Sequence, residues 1–142
     1  MKIKPSQADG LYLLQLKASW TKGGVARSVP IKTDEQRYWL DKAKKLAGKT
    51  GSLIPRGKSY IQQRRHYDRI TQETGFKNLH GLRHAYAQQR YTEITGHQPP
   101  INGGKPRAEL MPDERRMDQV ARETIARELG HSRAAIAKNY IG

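Results

Sequence analysis

Two short runs near the start of the chain have the polarity pattern of strands. Leu11–Lys17 (LYLLQLK) and Val25–Ile31 (VARSVPI) are extended and partly alternating, and Lys22-Gly23-Gly24 between them offers the positive φ angles of a tight turn. The pattern predicts a β-hairpin over 11–31 with Lys22 at its tip. Thr33-Asp34-Glu35-Gln36 then reads as a capping box, predicting a helix over 34–47 that Gly48 stops. GKTGSLIPRGKS follows as loop, with Pro55 barring a continuous helix. A second helix is predicted over 59–74, carrying Arg64, Arg65 and Arg69 and ending at Gly75; a third over 80–95 ends at Gly96.

Residues 96–112 are too broken by Pro and Gly to be regular, and a loop of that length inside a compact domain is usually functional or mobile. Asp113 is expected to cap a helix over 113–129, with Met117, Val120, Ala121 and Ile125 on one apolar stripe and Gly130 closing it. Ser132 is expected to cap a last short helix over 132–140 with Tyr140 on its final turn. The expected fold class is α+β, mainly α, a β-hairpin followed by about five helices. No internal repeat interrupts the outline, and the length of 142 residues suits a single domain over 1–142.

Composition changes this picture in one respect. Only 35% of the residues are hydrophobic, and 27 Lys+Arg against 13 Asp+Glu give a net charge of +14. Such a surface repels itself unless a polyanion lies against it. The positive charges run from Lys2 to Lys138 instead of forming one tail, which fits a folded basic face and makes nucleic acid the first partner to consider. No apolar run is long enough for a membrane span or a signal-peptide core, so no membrane partner is expected. Zero Cys excludes a disulfide framework and fits a reducing, cytoplasmic setting.

Three sequence features carry possible chemistry: His80-Gly81-Leu82-Arg83-His84, Leu129-Gly130-His131-Ser132, and Tyr140 nine residues past His131. The i,i+3 spacing puts His80 and Arg83 on one helix face. Singly each has an ordinary reading: a solvated helix face, a helix C-cap, a packed aromatic. Together they suit phosphodiester chemistry. Arg offers a permanently charged planar fork for non-bridging oxygens, and imidazoles can donate to those oxygens or take a proton near neutral pH. A phenol with a free pKa of about 10 is a poor nucleophile unless neighbours activate it. A Lys on a hairpin tip is placed to protonate a leaving alkoxide.

HGLRHAY, LGHS followed by Tyr140, and TKGGVARSVPI together resemble the C-terminal catalytic domain of the tyrosine recombinases, the phage-integrase family. The resemblance covers nearly the whole chain and implies a site-specific DNA recombinase needing no metal or cofactor. It implies that Tyr140 attacks the scissile phosphate to give a 3′-phosphotyrosyl link, with Arg83 on the non-bridging oxygens. His131 would donate to the phosphate, His80 would act as general base or phosphate contact, and Lys22 would be the general acid. Double-stranded DNA is the implied partner, a tetrameric homo-oligomer on DNA the implied assembly, and a bacterial or phage mobile element the implied source. Arg27, Arg56, Lys58, Arg64 and Arg65 are candidate contacts to the DNA backbone.

Two departures qualify the resemblance. The family uses another catalytic Arg on a helix upstream of the hairpin Lys, and residues 1–20 contain no Arg. On that ground the chain reads as a partial catalytic domain, weakly active or inactive alone, with a DNA-binding domain that does not cut as the alternative. Arg83 and His131 are also further apart than is usual for the family, the extra length including the 96–112 loop. Other chemistry fits less well. His80 and His84 lack the Glu and third ligand of a zinc helix, and the glycine pairs lack the spacing of a phosphate-cradling loop. A basic RNA-binding protein would explain the charge but not the His131–Tyr140 spacing.

Overall fold

The computed structural model describes residues 2–5, 12–21, 23–76 and 79–142. The chain divides into two compact units, Met1–Gln15 with Val29–Asn78 and Leu16–Ser28 with Leu79–Gly142.

In the first unit lies most of a three-stranded sheet in the order β1 (Lys2–Pro5), β2 (Tyr12–Leu16), β3 (Arg27–Ile31). β1 runs antiparallel to β2, with Lys2 opposite Gln15 and Pro5 opposite Tyr12. The sequence pattern does not foresee β1, because a single Ile between lysines gives no alternation to detect. Thr33 and Gln36 form the expected capping box at the start of α1 (Asp34–Ala47): Gln36 N–H donates to Thr33 Oγ1 at 3.1 Å, and the Gln36 side-chain Oε1 accepts from Thr33 and Lys32 N–H. Ser59 and Gln62 repeat the device at α2 (Tyr60–Glu73). Each cap contributes about 1 kcal/mol. Ile31 is the one fully enclosed apolar side chain among the unit's described residues, so caps and turns supply much of its local order.

The connection between β2 and β3 is longer than a tight hairpin turn. β3 starts at Arg27, not Val25, because Ala18–Trp20 form a 3₁₀ turn and the Thr21 hydroxyl donates to Val25 O at 2.8 Å. Gly23 and Gly24 do take positive φ, at 89° and 66°.

The second unit is built on α3 (Gly81–Thr95) and α4 (Pro112–Leu129), followed by a 3₁₀ turn (Ala134–Ala137) and α5 (Lys138–Ile141). Ala87 and Ala121, both fully buried, let α3 and α4 approach closely. Tyr91, Ile125, Leu129, Ala137, Tyr140 and Ile141 complete the core. Two corrections concern helix starts. Pro112 is the first residue of α4 and the Glu114 carboxylate accepts from Met111 N–H, so Asp113 is not the cap. Arg133, not Ser132, precedes the last helical segment, and no side chain caps it.

The buried face of α4 also differs from the apolar stripe. Ala121 and Ile125 are buried, but Met117 and Val120 are 42% and 45% exposed, while Asp118, Arg122 and Glu128 are enclosed. Two carboxylates hold α3 and α4 together. Asp118 accepts from Tyr91 Oη at 2.9 Å and from Arg122 Nε at 2.9 and 3.0 Å. Glu128 accepts from Tyr86 Oη at 2.7 Å and from Arg90 through both Nε and Nη2. Burial, then the bond to Glu128, raises the Tyr86 pKa; burial, then the bond to Asp118, pushes that of Tyr91 up to about 12.

The 96–112 loop is folded against this frame, with 3₁₀ turns at Pro100–Asn102 and Arg107–Glu109 and a buried Leu110. Arg115 donates to Leu110 O and Ala108 O, and Lys105 pairs with Glu114 at 2.9 Å. Part of the loop lies beside the end of α5, since a Cβ on Gly142 would meet Ile101 N and Pro100 Cβ at 3.1 Å. The loop is thus a seat for the segment that carries Tyr140.

Candidate active site

Gly130 determines where His131 goes. It closes α4 at φ 80° and ψ 28°, a left-handed conformation that favours glycine, and His131 N–H donates back to Ala126 O at 2.8 Å. The imidazole is thereby fixed beside the C-terminal end of α4, where the last carbonyls lack helical partners. Arg83, on the first turn of α3, supplies one: its Nη2 donates to Leu129 O at 2.9 Å. The same nitrogen lies 3.4 Å from His131 Nε2, and His131 Nε2 lies 3.0 Å from Tyr140 Oη.

Tyr140 is only 5% exposed. Its ring packs 4.8 Å from that of His84, and its carbonyl accepts from Gln88 Nε2 at 3.2 Å. Ile141 beside it is fully buried, and Arg122 Nη2 donates to Gly142 O at 2.9 Å. Neighbouring side chains thus hold the short helix in place with the phenol against the imidazole.

A guanidinium cannot accept a hydrogen bond, so the approach of Arg83 Nη2 favours a lone pair on His131 Nε2 and the ring proton on Nδ1. The Tyr140 hydroxyl then donates to Nε2. The charge state agrees: burial, then the positive charges of Arg83 and Arg27, lower the His131 pKa. A neutral imidazole aimed at a phenol proton is the arrangement a general base requires.

Arg83, His131 and Tyr140 therefore meet in one hydrogen-bonded chain. Arg27, expected as a DNA-backbone contact, lies against the same junction, where a Cβ on Gly130 would collide with its Nη1 and Cζ. His80 is exposed and one ring removed, edge to face with His84 at 5.8 Å. Lys22 lies outside the described residues. Arg56, Lys58, Arg64 and Arg65 are exposed in the first unit, Arg64 3.8 Å from Asp68. His84 and Gln88 are additions to the expected set. Their i,i+4 spacing was a legible signal that they share a helix face, though not that the face meets Tyr140.

Among the described residues, no group of three or more His, Cys, Asp or Glu side chains is placed to hold a metal ion, and no helix is long and apolar enough to cross a membrane. No protein-family model matches the chain, and neither does any curated protein or solved structure.

Proposed function

We propose that the chain is the catalytic part of a DNA strand transferase of the tyrosine-recombinase type, cutting and rejoining phosphodiesters through Tyr140. The observation that carries this reading is the Tyr140 hydroxyl 3.0 Å from His131 Nε2, with the Arg83 guanidinium on the same nitrogen. A core tyrosine needs no such neighbours. A nucleophilic one needs a proton acceptor and a cation for the oxyanion beside it.

In the proposed reaction Tyr140 Oη attacks phosphorus in line with the leaving 5′ oxygen, and the phenol proton passes to His131 Nε2. Arg83 holds the charge that develops on the non-bridging oxygens. The P–O5′ bond breaks, the 5′ oxygen leaves as a hydroxyl after protonation, and a 3′-phosphotyrosyl ester remains. The resemblance makes Lys22 the acid for that protonation. Attack by a second 5′-hydroxyl reverses the step and joins a new strand, so the energy of the broken bond is kept in the ester. The net charge of +14 supports double-stranded DNA as the substrate, with Arg56, Lys58, Arg64 and Arg65 as backbone contacts. A tetramer on DNA is part of the proposal.

The test is a nicked duplex that traps the covalent intermediate, read as a protein band shifted by the DNA strand under denaturing conditions. The native chain is expected to form the adduct weakly and Tyr140→Phe to form none. An adduct that persists in Tyr140→Phe removes the nucleophile assignment. Salt-sensitive binding with no adduct in the native chain leaves a DNA-binding domain that does not cut.

A further inference from the structure

We propose that Gln88 and Asn102 are positioning residues for Tyr140, two carboxamides in series that tie the nucleophile's main chain to α3 and to the 96–112 loop. The proposal rests on the strand-transfer reading for what Tyr140 does and on geometry for how it is held.

The need arises from the shortness of α5. Lys138–Ile141 is a single turn entered from a 3₁₀ turn, and no side chain caps either segment. One turn has too few hydrogen bonds to keep its own place, and the carbonyls at its end have no helical partner. Tyr140 O is one of these, and Gln88 Nε2 supplies the donor at 3.2 Å. From the other side of the same amide, Gln88 Oε1 accepts from Asn102 Nδ2 at 3.3 Å. A carbonyl can only accept, so the amide nitrogen must face Tyr140 and the amide oxygen is left for Asn102. A carboxamide suits this place because it carries a donor and an acceptor on one planar group.

Both ends of the series are anchored. Gln88 and His84 share a face of α3, and the His84 ring packs 4.8 Å from the Tyr140 ring, so that face grips Tyr140 by ring and by main chain. The helix that presents Arg83 thereby also places the nucleophile. Asn102 closes the 3₁₀ turn Pro100–Asn102, and its N–H donates to Pro99 O at 2.9 Å. Pro99 is fully buried, and Gly104 N–H donates to the same carbonyl at 3.1 Å. The loop thus offers Asn102 from a fixed turn. A displacement of about 1 Å at a reacting group can cost about 10²-fold in rate, so a hold on the Tyr140 main chain bears directly on attack by its phenol.

The experiment compares two variants of the full chain with the native one. Gln88→Met keeps the length of the side chain and removes both donor and acceptor. Asn102→Ala removes the loop's half alone at an exposed position, which keeps the proposal testable if Gln88→Met does not fold. Hydrogen exchange of the α5 amides is expected to quicken about tenfold in Gln88→Met, the effect of leaving an enclosed carbonyl without its donor, and by less in Asn102→Ala. The ring resonances of Tyr140 and His131 should shift in both, while the His131 amide, bonded to Ala126 O, keeps its protection. Gln89→Met, on the exposed side of α3, should change none of these. On the nicked duplex, adduct formation should slow in both variants with DNA affinity unchanged. Rings that stay unmoved in both variants overturn the proposal, as does exchange that quickens equally through α3 and α4, the mark of a merely structural role. An α5 that loosens in Gln88→Met when even the native chain gives no adduct keeps the hold on Tyr140 and removes strand transfer. A native adduct formed at an unaltered rate in Gln88→Met removes the positioning role alone.

Discussion

The Tyr140 hydroxyl and the His131 Nε2 are 3.0 Å apart, and the imidazole is held neutral by burial and by the nearby charges of Arg83 and Arg27. Protonating that ring would place a third positive charge beside two guanidiniums. The unfolded chain, with its histidine near the ordinary value of about 6.5, takes up this proton first as the pH falls. The His131 contribution to folding stability is therefore complete above about pH 6.5 and declines below it, as the unfolded state binds this proton more readily than the folded state. Denaturant unfolding between pH 5 and 8 should show this slope, and His131→Gln should remove its share. If the slope is unchanged in the variant, the proton uptake belongs elsewhere. Covalent adduct formation should keep its acid limb below pH 6.5 for the same reason.

A second prediction concerns Glu128. Its carboxylate is reached by Tyr86 and, at two points, by Arg90, within a largely enclosed contact. Truncating one partner of a buried pair costs up to about 3–5 kcal/mol, and the second pair of Arg90 with Glu93 at 3.0 Å keeps the loss toward or below the lower end. Glu128→Ala should lose stability on that scale in urea unfolding, whereas Arg64→Ala, whose pair with Asp68 is exposed, should change it by less than about 1 kcal/mol. Equal effects in the two variants would mean that the α3–α4 carboxylates contribute no more than surface charges.

Gly130→Ala tests the junction itself. A left-handed residue with a Cβ costs about 1–2 kcal/mol from backbone conformation alone. Here the methyl also meets the Arg27 guanidinium, the movable end of a long side chain, so the loss should stay near that value while the displaced guanidinium shifts the His131 ring resonances. Gly75→Ala is the control: its φ is 76° and nothing lies within 4 Å of the added Cβ, so only the backbone cost applies. His131 resonances that stay put in Gly130→Ala would show that Arg27 does not pack on Gly130.

Parts of this structure are readable from local signals. The Thr33–Gln36 capping box and Gly48 bound α1 where the pattern places it, and α3 ends at Gly96 as expected, the glycine taking a left-handed conformation. Those signals act within a few residues, so one sequence window contains them. Others depend on partners distant in the chain. Asp118 and Arg122 look like solvent-facing residues until Tyr91 and Gly142 O are beside them. Met117 and Val120 look like core until the carboxylates turn the helix away from them. The chemistry divides in the same way. Residue type and spacing suffice to nominate Arg83, His131 and Tyr140, and the VARSVPI stretch nominates Arg27 as a backbone contact, but nothing in the sequence places it against Gly130.

The carboxylate contacts along α3 have a consequence for accuracy at the site. Arg83, Ala87 and Arg90 follow one another along the same side of the helix, so what fixes Arg90 also fixes the rotation of the helix about its axis. With a guanidinium about 6 Å from that axis, a roll of about 20° would carry it about 2 Å sideways, enough to lose Leu129 O. Glu128 acts as an indexing pin: its bonds to Arg90, about two turns along α3 from Arg83, set the angle at which α3 presents Arg83 to His131.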